Sequence, residues 1–124
     1  MKRILASLAL LFCFSAHADL LGPHEEWTAI DSIRQAAVAA AMIVDDHQTK
    51  QISTSACCHE WNPLLGAHPT NKAINLHFVE MFLGSTLIAY YLPERDRRDF
   101  QIVVFGAESL AIHNNLKLGF RVAF

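Results

Sequence analysis

Between Asn71 and Leu92 the chain is apolar almost without interruption, and that stretch limits the folds open to it. At 1.5 Å per residue, about twenty helical residues reach ~30 Å, the thickness of a bilayer's hydrocarbon core. Tyr90 and Tyr91 close the run, where an interfacial aromatic belt would put them. Pro93 opens a charged hinge, ERDRRD, and the pattern predicts a third helix over FQIVVFGAESLAIHNN. The expectation is a helical hairpin over residues 72–115.

The first eighteen residues say where such a hairpin would live. Lys2 and Arg3 form a basic start, Ile4 to Phe14 an apolar run, and Ala16-His17-Ala18 a small-x-small exit. That is the layout of a secretory signal, with cleavage expected before Asp19, and the apolar run is short for a span. Residues 19–124 then make one small helical, membrane-associated domain, bound for the cell envelope and in particular the inner membrane facing the periplasm. Against 10 basic side chains stand 12 acidic ones, and two of the basic ones, Lys2 and Arg3, belong to the leader. Arg95, Arg97 and Arg98 alternate with Glu94, Asp96 and Asp99, so no uncompensated basic surface offers itself to nucleic acid.

A first long helix is expected from Ala29 to about Lys50. Thr28 and Asp31 supply the T-x-x-D form of a capping box in front of it. Its unbroken apolar run, Ala36 to Val44, is too short to cross a bilayer alone. Such a helix lying at the interface or against the hairpin would leave the hinge on the cytoplasmic side and the loop outside. If it spans, the Arg-rich hinge falls outside instead, against the tendency of Lys and Arg to stay inside. Residues 51–71 form the main loop, with turns at Asn62-Pro63 and His68-Pro69. Cys57 and Cys58 in this loop are neighbours; a bridge between them closes a strained eight-membered ring, so free thiols or an intermolecular bridge are the simpler expectations.

The last nine residues alternate apolar Leu116, Leu118, Phe120, Val122 and Phe124 with other side chains, a strand-like period. The fold class read from the sequence is therefore mainly α: a signal segment, about three helices including the apolar hairpin, and a short strand-like tail. An outer-membrane strand ending in an aromatic is the alternative for that tail.

Ionisable residues inside the helices fall into stripes. Gln101, Glu108 and Asn115 are spaced by seven on the third helix, and His77, Glu80 and Gly84 share a face of the second. Arg34, Ala37, Ala41, Asp45 and Gln48 line one face of the first. A carboxylate in lipid or core costs several kcal/mol unless paired, protonated or hydrated, so the stripes are expected to face one another. The candidate cluster is Asp45, His77, Glu80 and Glu108. Interhelical glue is the plain role for it; a divalent-metal or proton-relay site, with His113 as a further ligand, is the sharper one. The Glu-x-x-His pairs of metal-binding bundles are absent, and no catalytic motif, metal site or cofactor is assigned.

Asp45…Gln48-Thr49, then Glu60-x-Asn62-Pro63-x-Leu65-Gly66, His68-Pro69, and later Glu108 with Asn114 or Asn115, resemble small membrane proteins of bacteria and their prophages whose activity is unknown. The resemblance covers about residues 40–120 and implies apolar helices built around an E-x-N-P turn. The loop residues it singles out are Glu60, Asn62, Pro63, Gly66 and Pro69. The function expected is an envelope interaction or accessory role. Its partners would be the lipid bilayer and a protein or a second copy of the chain. A soluble periplasmic helical domain is the main alternative.

Overall fold

The computed structural model describes residues 25–122, so the leader and its cleavage site lie outside the described residues. Three helices follow one another: α1 Ala29–Thr54, α2 Asn71–Tyr91 and α3 Glu94–Lys117. Each packs against the other two. α1 and α3 run parallel, since Asp31 meets Arg97 near their starts, and Asp45, well along α1, meets Asn115 near the end of α3. α2 runs back alongside both. The bundle therefore has a turn end, at residues 92–93 beside the start of α1, and a loop end holding residues 55–70 and the chain's tail.

Each boundary has a local cause. The capping box at α1 is complete: Thr28 Oγ1 accepts from the Asp31 amide, and Asp31 Oδ2 accepts from the Thr28 amide. Thr70 caps α2 by accepting from the Ala73 amide. α3 starts directly after Pro93, so the charged segment 94–99 is the first turn and a half of a helix and not a hinge. Its charges are spaced to be sorted around a helix, with Arg97 turned inward. α3 also runs on to Lys117, and among the described residues no strand forms. Gly119, at φ +92°, ends the helix in the left-handed region, and the Phe120 amide closes back on the Asn115 carbonyl. The alternating residues 116–122 have no partner strand among the described residues. Their described end is held instead by Gln48 and Gln51, whose side-chain amides donate to the Phe120 and Arg121 carbonyls.

The interior is as polar as it is apolar. Val38, Met42, Ile74, Ala89, Leu92 and Phe100 are buried, but so are Asp31, Gln35, Gln48, Thr49, Arg97 and Gln101. The outer surface carries Ile33, Ile43, Leu76, Leu83, Leu87, Ile102, Val103 and Leu110. Only Ile74, Ser85 and Ala89 of α2 are buried, so this apolar helix is largely uncovered by the rest of the chain. The outward face of α1 answers the shortness of its apolar run. Asp31 and Gln35 turn into the bundle, leaving Ile30, Ile33, Ala36, Ala37, Ala40 and Ile43 outside. An apolar face thus extends well beyond residues 36–44.

Candidate functional site

The densest polar arrangement sits at the turn end around Arg97, whose side chain is 0% exposed. Nε donates to the Ala89 carbonyl at 3.0 Å; Nη1 donates to Asp31 Oδ2 at 2.8 Å and the Glu26 carbonyl at 3.0 Å. Nη2 donates to the Glu25 and Leu92 carbonyls at 3.0 and 3.1 Å. All five guanidinium N–H groups are used, which is what makes an arginine tolerable without water. The Trp27 ring covers the guanidinium at 5.3 Å and Trp27 Nε1 donates to Ser32 Oγ. Asp31 in turn accepts from Thr28, Arg34 and Arg97. One ion pair thus ties together the lead-in segment, α1, the α2–α3 turn and α3.

One turn further along, an amide relay crosses all three helices. Gln101 Nε2 donates to Gln35 Oε1 and the Asp31 carbonyl, both at 3.1 Å. Gln35 Nε2 donates to Thr86 Oγ1 at 2.8 Å and Ser85 Oγ at 3.4 Å. Those hydroxyls spend their own protons on the Phe82 carbonyl. The relay has a single direction, and it keys the register of the bundle.

The expected stripes meet only in part. Gln101, Glu108 and Asn115 of α3 do turn toward α1, where Asn115 Nδ2 donates to Asp45 Oδ1 at 2.8 Å and Glu108 stands close enough to act on Asp45 electrostatically. Glu108 Oε2 and Gln48 Oε1 are buried there without a partner. The α2 stripe does not join them. Glu80 is exposed, and His77 is engaged by the loop. His113 is exposed as well. The polar α2 residues that meet the interior relay are Ser85, buried, and Thr86, partly buried. Among the described residues no three His, Cys, Asp or Glu side chains converge as a metal would require.

Asp45 lies just past the outward apolar face of α1, at the loop end.

The E-x-N-P motif is a turn built on Asn62. Its backbone amide donates to Glu60 Oε1, its Oδ1 accepts from the Leu64 amide, and its carbonyl accepts from Leu65 and Gly66. Gly66, at φ +78°, adopts a backbone that a side chain would strain, and the Glu60 amide closes the turn on the Ala67 carbonyl. Asn62 Nδ2 then donates to His77 Nε2 at 3.0 Å, docking the turn on α2. Pro63 is exposed at the tip, while Pro69 is buried just before the α2 cap. Asn62→Ala should free residues 60–67 from α2, seen as faster amide exchange at Leu64, Leu65 and Gly66 with α-helical content unchanged. Beside this turn, Cys57 and Cys58 are bridged to each other, where the chain bends sharply after α1.

Comparison with known protein families, curated proteins and solved structures finds no match.

Sequence reasoning missed Arg97 because it sits in a charge-balanced segment that reads as solvated. Its signal was positional: Arg97 precedes Gln101 by four, which places both on the face that Gln101, Glu108 and Asn115 mark.

Proposed function

We propose that the chain is an exported, membrane-integral helical bundle of the cell envelope with an accessory or interaction role, its loop 55–70 being the surface presented to a protein partner or a second copy. The observation that carries this reading is the inverted distribution of side chains: a paired arginine and glutamine relay inside, Leu, Ile and Val outside. Among the described residues α2 alone has the length and mean hydropathy, 1.2, of a candidate span. With α1 packed on α3 from the Asp31–Arg97 pair to the Asp45–Asn115 bond, the three helices would cross together, their outward apolar faces, and the exposed Glu80 midway along α2, against lipid. That differs from the arrangement favoured by the sequence, in which the first helix stays out of the bilayer. The turn end and loop end then lie on opposite sides.

An exported start puts the turn end in the periplasm and the loop end toward the cytoplasm. One feature supports that orientation. Arg97 is sealed inside the bundle, leaving Arg34, Arg95 and Arg98 on the turn end, while Lys50, Lys72, Lys117 and Arg121 gather at the other. The similarity of the Asp45…Gln48-Thr49 and Glu60-x-Asn62-Pro63 pattern to small bacterial and prophage membrane proteins bears on the membrane reading and not on its orientation. Alkaline carbonate extraction tests it: the full chain should stay in the membrane pellet. Release into the supernatant would leave a soluble helical domain, which must then cover its apolar faces by self-association.

A further inference from the structure

We propose that the turn end carries a binding site for a phosphate-bearing anion, formed between the starts of α1 and α3 by Arg34, Arg95 and Arg98. These three and Glu94 line an open cavity of about 530 Å³. α3 sorts its charges to make it. Arg95 and Arg98 are three apart and share a face, Asp96 and Asp99 share another, and Arg97 points inward to Asp31. Across the cavity Arg34 extends from α1, with one terminal nitrogen, Nη1, on Asp31.

The donors are not used up. Among the described residues Arg95 has no ion-pair partner, and Arg98 commits Nε to Asp99 while its two terminal nitrogens make no hydrogen bond. All the cations here are guanidinium groups, whose planar forks match the oxygens of a phosphate better than an ammonium does. The α3 N-terminus adds nothing to the site, because the Glu94 amide already donates to the Glu25 carboxylate; the arginines carry it alone. Glu94 is the one opposing charge in the lining, and its carboxylate can accept from a hydroxyl of the ligand. A phosphodiester with a hydroxylated headgroup fits both features. Trp27, Tyr90 and Tyr91 cluster at this end, the level at which headgroups would lie if the bundle spans a bilayer. The lipid source of the phosphate rests on the membrane reading; the anion site itself does not.

The test uses the full chain carrying Trp61→Phe, so that the fluorescence reports Trp27 over Arg97. The protein, in a zwitterionic detergent, is titrated with short-chain phosphatidylglycerol, with phosphatidylcholine of equal chain length, and with inorganic phosphate. Saturable phosphatidylglycerol binding, weakened about tenfold or more in Arg95→Gln/Arg98→Gln, supports a lipid headgroup site. Phosphate binding with the same arginine dependence but no preference between the lipids supports a site for the free anion. If the double variant loses helical circular dichroism, Arg95→Gln alone is read, with an intermediate loss expected. Binding equal in wild type and variant overturns the proposal, as does the absence of binding to both phosphate and phosphatidylglycerol. A chain released by carbonate that still binds phosphate through these arginines would keep the site and sink only the membrane reading.

Discussion

Asp31→Ala is expected to cost about 3–5 kcal/mol, a large part of the stability of a small domain. The charge at risk is not the one removed. Arg97 would remain buried with a guanidinium N–H facing no carboxylate, and an uncompensated charge in a dry interior is far costlier than a lost contact. Arg97→Lys should be nearly as damaging. An ammonium has three donors where the site has five acceptors in a planar array, so the Ala89, Leu92, Glu25 and Glu26 carbonyls would compete for it. The double change Asp31→Asn/Arg97→Met should be milder than either single variant, because it removes both charges together. Chemical unfolding in detergent, followed by circular dichroism, gives all three values. A loss below about 1 kcal/mol for Asp31→Ala would mean that water reaches Arg97 and that the pair is not sealed.

Leu83→Arg separates lipid from water outside the bundle. Leu83 stands near the middle of α2 and is 61% exposed. On a soluble surface such a change stays within about 0.5 kcal/mol and improves solubility. At the centre of a spanning helix it costs about 2.5–3.5 kcal/mol. A helix of mean hydropathy 1.2 has little margin to absorb that. The variant's share of the membrane pellet should therefore fall several-fold, while Glu80→Arg, which swaps one charge for another on the same helix, should leave it nearly unchanged.

The fold was legible where one residue type decides one local event. Thr28 and Asp31 announced the start of α1, Thr70 and Asn71 agree with the start of α2, and the seven-residue spacing of Gln101, Glu108 and Asn115 marked the face of α3 that meets α1. What escaped was pairing across helices. The spacing of His77 and Glu80 describes one face of α2 correctly, but no spacing says whether that face turns inward. Asn62 holds His77 at the loop, and the interior takes Ser85 and Thr86 instead. The alternation of 116–124 misled for a related reason, since a period of two makes a strand only if another strand lies beside it. The hairpin, read from apolar length alone, survived intact; its charged first turn did not read as helix because charge pattern and solvation look alike in one dimension.

The most direct test of an apolar exterior around a polar interior is spin-label accessibility in liposomes, with single labels at Leu83, Leu110 and Trp61. Labels at Leu83 and Leu110 are expected to relax faster with oxygen than with a water-soluble nickel chelate, and a label at Trp61, on the loop, to show the reverse. Nickel-dominated relaxation at all three positions would contradict an apolar exterior, because the faces of α2 and α3 would then be in water.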